Sequence, residues 1–325
     1  MTLPNSANRD LRTLESAAGG ALSASVAEYA AAEKAPATRK AYRADWQHFL
    51  AWSERVGNPF LPAEPASVCA YIAEIANSGA AVSTIGRRLA AIGYAHKLKG
   101  FDAPGSAEPV RAVFRGIRRR LGTAVNQKAP ATARAIAAML DQVPPTRLTG
   151  IRDRALLLIG FAAALRRSEL VDLKVNDVEI GEEGAIVRIR RSKTDQEGAG
   201  AEIAIPRGTE LRPVEAIEAW LSASKVTDGH LLRAVGKGPG CKISKSGLSD
   251  RTVADIVKRY ARAAGLDAGL FSGHSLRAGF VTSALEHGAD LFKVMDVTRH
   301  KRVETLKGYD RRARAFRNHA GKDFL

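Results

Sequence analysis

A histidine and an arginine three residues apart could together bind one anion. His274 and Arg277 fall in a segment with helical periodicity, and this spacing places both side chains on one helix face. Arg166 follows the apolar run Phe161-Ala-Ala-Ala-Leu165, where a guanidinium at the end of a buried stretch must find a counter-charge. Two convergent arginines bind phosphate in bidentate fashion. Each residue alone also fits a structural role, Arg166 as a helix C-terminal charge and His274 as a cap.

The chain lacks the common motifs of metal- and nucleotide-dependent chemistry: it has no P-loop, no GxSxG or HExxH motif, and no Asp/Glu/His set with metal-ligand spacing. Phosphoryl transfer without a metal needs a side-chain nucleophile, arginines that neutralise the phosphorane, and a cationic general acid. The second half offers two tyrosines, Tyr260 in an apolar-periodic helix and Tyr309 after Gly308 in a basic tail. Tyr260 is interpreted as structural. The sequence predicts no metal and no cofactor.

Charge indicates the class of partner. The 325 residues include 50 Lys and Arg against 34 Asp and Glu, a net charge of +16. A polyanion such as nucleic acid is the expected partner, because neutralising phosphates releases condensed counterions. The alternative is a basic protein whose charge only maintains solubility. With 45% hydrophobic and 26% charged residues, the chain is expected to fold, and its length suits about two domains.

Membrane and secreted classes are not expected. The longest apolar run, Ala155–Leu165, is shorter than the roughly 20 residues that span a bilayer. Charged residues near the N-terminus leave no secretory hydrophobic segment. Cys69 and Cys241 have no CxxC partner, which argues against a disulfide framework or a thiolate zinc site. The expectation is a cytoplasmic protein, nucleoid-associated when bound to DNA, with no membrane partner.

The first part of the chain is predicted to be a small helical domain. Residues 1–33 are interpreted as a flexible tail with a marginal helix near Leu22–Ala32, and the domain spans 34–121. Its helices are expected from Thr38 to the break at Gly57, and at Pro65–Asn77, Val82–Lys99 and Glu108–Leu121. Basic residues on its exposed faces suit a duplex backbone, or are simply solvated; they are Arg39, Lys40, Arg43, Arg87, Arg88, Arg111, Arg115, Arg118, Arg119 and Arg120.

Residues 122–132 lack a periodic apolar face and are interpreted as a linker to a second domain at 133–325. Alternating segments at Ala185–Arg191 and Ala201–Ile205 predict a hairpin with Lys193 near its tip. The fold class is therefore predicted as mainly α with a small β-sheet in the second domain (α+β). Helices are expected at Ala131–Gln142, Ile151–Leu165, Ser168–Leu173, Pro213–Ala223, Ser249–Ala264, His274–His287, Leu291–Thr298 and Arg311–His319.

An ordered set of motifs resembles the tyrosine recombinases, also called phage-type integrases. The motifs are Ala-Leu-Arg166-Arg-Ser-Glu-Leu170, Arg-Ser-Lys193-Thr, Ser-Gly-His274-Ser-Leu-Arg277-Ala-Gly, and His300 with Tyr309 nine residues later. The resemblance spans nearly the whole chain, because Phe60–Pro65 and Gly79–Ile85 are similar to the N-terminal domain of Cre recombinase. A two-domain, Cre-like member without an additional arm-binding module is expected.

The resemblance implies a site-specific DNA recombinase shaped as a C-shaped clamp around double-stranded DNA. Tyr309 would attack a scissile phosphate and form a 3′-phosphotyrosine, without metal or ATP. Arg166 and Arg277 would hold the non-bridging oxygens, and Lys193 would protonate the departing 5′-oxygen. The phosphotyrosine ester keeps the energy of the broken bond, so the free 5′-hydroxyl of another strand could then reverse the step.

Further roles are implied for the surroundings of the phosphate. His274 and His300 would complete its pocket, His274 also accepting the tyrosine proton, while Glu169 would orient active-site groups from behind. Arg299 stands where many members of the family have glycine, and Lys301 and Arg302 follow, so the turn at His300 is expected to be shaped differently.

DNA contacts and assembly are implied in the same way. Lys40 and Arg251 match positions that touch DNA in Cre, Arg251 being the candidate for reading guanine in the major groove. A homotetramer would act on two DNA sites with inverted repeats, exchanging strands through a Holliday junction, and accessory proteins are unknown. The residues after Tyr309 could dock on a neighbouring subunit or pack in cis. The alternatives are a type IB topoisomerase-like nicking-closing enzyme and a non-catalytic DNA-binding regulator on the same fold.

Overall fold

The computed structural model consists of two compact units, Met1–Asn126 and Gln127–Leu325. The residues it describes are 33–123, 128–190, 200–236 and 242–306. The predicted tail helix, the predicted helix at Arg311–His319, and the two predicted site residues Lys193 and Tyr309 lie outside these ranges.

In the part of the first unit that the structure describes, four helices form a bundle and are joined by short loops. Proline in the first turn starts three of these helices, where its missing N–H costs nothing, and α1 ends at Gly57, which adopts the left-handed conformation with a φ of 72°. The helices are α1 (Pro36–Val56), α2 (Pro65–Asn77), α3 (Val82–Lys97) and α4 (Glu108–Leu121), with a 3₁₀ turn at Pro104–Ser106 before α4.

Aromatic side chains dominate the core of this bundle. Trp46, Phe49 and Trp52 lie one helical turn apart on α1, and Phe49 and Trp52 pack against Tyr71 of α2. His96 is fully buried among them, where its Nε2 accepts a hydrogen bond from the Ala63 amide at 2.8 Å. Its Nδ1 lies 2.8 Å from the Ile92 carbonyl, so the ring is held as the neutral tautomer, and burial lowers its pKa.

The second unit combines helices with two small antiparallel sheets. Its helices are α5 (Ala133–Leu140), α6 (Leu148–Ala162), α7 (Arg167–Asp172), α8 (Pro213–Ser224), α9 (Asp250–Ala263), α10 (His274–Glu286) and α11 (Leu291–Thr298). Its strands are β1 (Val178–Ile180), β2 (Gly184–Ile189), β3 (Ala201–Pro206), β4 (Arg233–Val235) and β5 (Ile243–Gly247). In the part of the chain that the structure describes, no helix is long and apolar enough to cross a membrane.

The larger sheet has the order β1-β2-β3, with Val187 opposite Ile203 and Ala185 opposite Ile205. Alternation along β2 and β3 buries one face of this hairpin, and α8 packs against β3. The smaller sheet pairs β4 with β5. The predicted hairpin strands are therefore present, ending at Ile189 and Pro206, whereas β1, β4 and β5 were not predicted.

Helix α6 lies at the centre of the second unit. Every residue from Ala155 to Phe161 is buried, because α5, α7, α8, α9 and α10 all pack around it. A helix that is apolar on all sides must be enclosed in this way. The predicted range of Ile151–Leu165 was wrong at both ends: α6 starts at Leu148, and it stops at Ala162 because Ala164 adopts a left-handed conformation with a φ of 47°.

Candidate active site

Four of the predicted phosphate-binding residues line one cavity of the second unit. They are Arg166, His274, Arg277 and His300, and the cavity has a volume of about 710 Å³. Among the described residues, one acidic side chain, Asp250, and six cationic ones line it; the cationic ones are Arg166, Arg167, Arg277, Arg299, Lys301 and Arg302. Such an excess of positive charge suits a phosphate group.

Arg166 is positioned by the end of α6 and the start of α7. The left-handed turn at Ala164 redirects the chain, so that Arg166 occupies the N-cap of α7. Its backbone N–H donates to Glu169 Oε2 at 2.8 Å, and its Nη1 donates to Glu169 Oε1 at 2.7 Å. Glu169 thus fixes both the backbone and the guanidinium of Arg166, as expected for a residue that orients the site from behind.

Arg277 is buried within the first turns of α10. Its Nη1 donates to the carbonyl of Ala164 at 2.7 Å, and its Nη2 donates to the carbonyl of Thr298. These contacts tie α10 to the ends of α6 and α11. Gly279 allows α10 to lie close to the segment just before α5, because a Cβ there would be 1.8 Å from the Ala131 oxygen.

His300 is held as a neutral imidazole beside Arg277. The Thr298 hydroxyl donates to the Val294 carbonyl at 2.7 Å, so it accepts from His300 Nδ1 at the same distance. This leaves Nε2 as the acceptor for Arg277 Nη2 at 3.2 Å. Burial, with the charges of Arg277, Arg166 and Arg299, lowers the pKa of His300 to about 4.

His274 is the first residue of α10, and its side chain is exposed at the cavity. Its backbone N–H donates to the Ser272 hydroxyl at 3.2 Å. The positive end of the α10 dipole lies at this position, which favours an anion in the cavity. The spacing of His274 and Arg277 therefore brings both residues to one cavity, as their shared helix face predicts.

The tyrosine interpreted as structural is unsuited to nucleophilic attack. Tyr260 is buried on α9, and its hydroxyl donates to Asp153 Oδ2 at 2.9 Å. Burial, together with the Asp153 charge, raises its pKa to about 12. Tyr309 therefore remains the candidate nucleophile of the second unit.

Sequence comparison assigns the chain to a family. The model of the phage integrase family matches residues 130–315, more than half of the chain. The chain belongs to the phage integrase family. Its relatives are tyrosine recombinases, as the ordered motifs from Arg166 to Tyr309 indicate.

Similar family members align over most of their length. An integrase/recombinase xerD homolog of Selenomonas ruminantium is 38% identical over 292 residues, covering 88% of this chain and 85% of that protein. The Tn1549 transposon integrase, solved in complex with transposon right end DNA, has a TM-score of 0.61 at 12% identity, with 98% and 99% of the two chains covered. A lambda integrase dimer bound to a core site has a TM-score of 0.60 at 16% identity, with 95% of each chain covered. The chain therefore has the same fold as these two solved integrases.

Two residues at the phage integrase site were not assigned a role from sequence. Thr298 orients the His300 ring and is fully buried. Arg299 lines the cavity, and its Nη2 donates to Glu169 Oε2 at 2.6 Å. Sequence marked Arg299 only as a departure from the family, because its contact with Glu169 joins residues that are far apart in the chain.

The side chains predicted to contact DNA differ in their solvent exposure and in whether an acidic residue already pairs with them. Among the described residues, exposed positions are found at Arg39, Lys40, Arg43, Arg87, Arg118, Arg119, Arg120 and Arg251. Arg87 is engaged with the buried Asp45 through two hydrogen bonds, at 2.7 and 3.0 Å. Arg88 was expected on an exposed face, but its side chain is only 17% exposed, because it faces Asp45 between α1 and α3. Contacts of these residues with DNA stay predictions.

Acidic and thiol ligands are not grouped in the described parts of the chain. Within those ranges, no cluster of three or more His, Cys, Asp or Glu side chains lies in a position to hold a metal ion. The charges that face the cavity there are mainly guanidinium and ammonium groups.

Proposed function

We propose that this chain is a site-specific DNA recombinase that cleaves and rejoins DNA through a covalent bond to Tyr309. The observation that carries the proposal is the convergence of Arg166, Arg277 and His300 in one strongly cationic cavity. The relative named an integrase/recombinase, which aligns over most of the chain, supports recombination over the topoisomerase-like and regulatory alternatives.

Strand cleavage is a transesterification at phosphorus. The Tyr309 oxygen attacks the scissile phosphate and the bond to the 5′-oxygen breaks, giving a 3′-phosphotyrosine and a 5′-hydroxyl. Arg166 and Arg277 neutralise the extra negative charge of the phosphorane. His274 accepts the phenol proton, and Lys193 supplies the proton that the departing oxygen takes up. Religation by a second 5′-hydroxyl follows the same path in reverse.

His300 is neutral in the protein without DNA and is expected to gain a proton when a phosphate binds. With its Nδ1–H held by Thr298, its Nε2 faces the guanidinium of Arg277. A phosphate that engages Arg277 brings negative charge to this nitrogen, which favours proton uptake and a hydrogen bond to the phosphate. Guanidinium and imidazole groups thus supply the charge stabilisation, and cleavage is expected to persist in EDTA.

Covalent capture tests the proposal. The substrate is duplex DNA from the region flanking the coding sequence, nicked just 3′ of the scissile phosphate, so that the short fragment bearing the new 5′-hydroxyl is lost on cleavage and the adduct is trapped. The wild-type protein should form a denaturation-resistant adduct, Tyr309→Phe should form none while still binding the duplex, and Tyr260→Phe serves as the matched control. An adduct of equal yield with Tyr309→Phe would reject the assignment.

Lys193 is tested through the leaving group. Lys193→Ala should slow cleavage of an ordinary phosphodiester strongly. A 5′-bridging phosphorothioate needs little protonation to leave, so it should restore the rate. If the variant stays equally slow on the phosphorothioate, Lys193 is not the general acid.

The assembly is part of the same proposal. Four protomers would act on two sites with inverted repeats and pass through a Holliday junction, and the two units of each protomer would clamp the duplex. Cross-linking during recombination of two marked duplexes should show tetramers and products that have exchanged partners. Relaxation of supercoils without partner exchange would favour the topoisomerase-like alternative. A DNA substrate also fits the expected cytoplasmic location.

The basic charge of the chain predicts how its affinity responds to salt. The logarithm of the affinity should fall linearly with the logarithm of the salt concentration, with a slope of about −0.9 for each phosphate neutralised. Lys40→Ala should reduce the slope of the salt dependence, and Arg251→Ala should reduce the preference for the target sequence. Arg212→Ala is an exposed control in the second unit. A flat salt response would contradict binding through the phosphate backbone.

A further inference from the structure

Arg299 adopts a backbone conformation that arginine seldom takes. It ends α11 with a φ of 58° and a ψ of 39°, in the left-handed region that glycine occupies most readily. Its own N–H donates to the Met295 carbonyl and closes the helix. Glycine would close the helix with less strain, so the arginine side chain must account for its presence here.

The side chain of Arg299 shares one carboxylate with Arg166. Glu169 is buried, with a side chain only 2% exposed, and lies between the two guanidiniums. Its Oε2 accepts from Arg299 Nη2 at 2.6 Å, and its Oε1 accepts from Arg166 Nη1 at 2.7 Å. The side chains of Arg166 and Arg299 are 14% and 12% exposed, so neither charge is fully hydrated.

Arg299 is poorly compensated for a buried guanidinium. Its Nε and Nη1 are buried and have no hydrogen-bond partner among the described residues. Burial lowers its pKa; the Glu169 charge opposes this change, and the Arg166 charge adds to it. Leaving buried donors unpaired is unfavourable for folding. Stability alone therefore does not explain a guanidinium at this position.

The net charge of Arg166, Glu169 and Arg299 together explains why a guanidinium is present at position 299. Without Arg299, the carboxylate of Glu169 would cancel the charge of Arg166, which is one of the two arginines proposed to hold the phosphate. With Arg299, the three side chains together keep one net positive charge next to the cavity. The two-sided contact also fixes the carboxylate that orients Arg166.

We propose that Arg299 is a positioning residue for strand cleavage, which shares the Glu169 carboxylate with Arg166 so that Arg166 stays both oriented and effectively cationic for the DNA phosphate. This inference rests on the proposed function. Arg299 acts through Glu169 and Arg166 and does not itself bond the phosphate.

The first test compares Arg299→Gln with Arg299→Lys, because both substitutions keep a side chain at the strained position and differ in charge. On saturating nicked DNA, Arg299→Gln should reduce the single-turnover rate of adduct formation by about 10- to 100-fold, and Arg299→Lys should recover much of it. Arg212 is the matched control, because it is also a left-handed arginine, with a φ of 48°, but it is exposed and does not line the cavity. Arg212→Gln should therefore cleave at the wild-type rate.

The second test removes the charge that Arg299 offsets. In a Glu169→Gln background there is no carboxylate to compensate, so adding Arg299→Gln should change the cleavage rate by less than about threefold. Thermal unfolding of each variant shows whether it is folded at the assay temperature. Equal rate losses in both backgrounds, or a loss of stability with an unchanged cleavage rate, would overturn the proposal.

The two tests also distinguish this inference from the proposed function. If Tyr309→Phe still forms the adduct, the proposed function fails whatever the Arg299 variants do. If Tyr309→Phe forms none and Arg299→Gln cleaves as fast as the wild type, only the role of Arg299 fails.

Discussion

Two buried carboxylates of the second unit are surrounded by arginines, and they differ in how completely these arginines are paired. Asp153 on α6 accepts from Arg152 Nη2 at 2.6 Å and from Tyr260 at 2.9 Å, and Arg152 also donates to the Arg233 carbonyl. Among the described residues, none of these side chains has a buried polar atom without a partner. This cluster joins α6, α9 and β4, and its satisfied contacts are typical of a structural role.

The Glu169 cluster is incomplete by comparison. Within the described ranges, two nitrogens of Arg299 have no hydrogen-bond partner, the residue is held in a left-handed conformation, and the cluster lies beside an open cavity. Unpaired donors and backbone strain persist where another requirement outweighs stability. The arrangement of a buried ion pair, more than its presence, therefore separates a structural cluster from a functional one.

The largest effect on stability is expected at Asp153. Asp153→Asn should reduce the free energy of unfolding by about 3–5 kcal/mol, because the charge of Arg152 would remain buried without its partner. Glu169→Gln should reduce it by only about 1–2 kcal/mol, because Arg166 and Arg299 line an open cavity and are 14% and 12% exposed, against 7% for Arg152. Urea denaturation measures both. Equal losses of stability would show that the two clusters do not differ in this way.

Helices with clear start and stop signals could be predicted from the sequence. Pro65–Asn77, Glu108–Leu121 and Leu291–Thr298 have the predicted bounds, because proline or an N-cap aspartate marks their first turns. The strands β1, β4 and β5 were missed because they are three to five residues long and depend on pairing with distant segments.

The candidate site was predictable where its residues follow a local motif. His274 and Arg277 share a helix turn, and Glu169 lies one turn after Arg166. The contacts of Arg299 and Thr298 were not predictable, since they require the left-handed turns at Ala164 and Arg299, positions with no glycine to signal them. The geometry of Lys193 and Tyr309, which lie outside the described ranges, stays a prediction.

A smaller effect is expected from the hydroxyl of Tyr260. Tyr260→Phe removes one hydrogen bond to Asp153 and should reduce the free energy of unfolding by about 1 kcal/mol. The rate of DNA cleavage should not change, because this cluster does not line the cavity. Tyr94→Phe is a suitable control, since its hydroxyl contacts the exposed Glu33 at 3.5 Å and should contribute less. A slower cleavage rate for folded Tyr260→Phe would show that the Asp153 cluster also serves the reaction.

A pH-dependent effect is expected at His300, on the incompletely paired side of the comparison. Its pKa in the folded protein is about 4, below the ordinary value of 6.5, so the unfolded chain takes up a proton first as the pH falls. The stability linked to this group is complete above pH 6.5 and is lost as the pH falls towards 4. Between pH 7 and pH 5, wild-type protein should therefore lose more stability than His300→Gln, as measured by urea denaturation. His96, whose pKa is also lowered, is present in both proteins, so its contribution cancels in the difference.

The pH dependence that His300 contributes is expected to change when DNA is present. A phosphate in the cavity adds negative charge beside Arg277 and His300, which favours the protonated imidazole and raises its pKa. Duplex DNA should therefore reduce the extra loss of stability of the wild type at pH 5. If DNA left that loss unchanged, the phosphate would not occupy this cavity, and the positive charge maintained by Arg299 would have to serve another purpose.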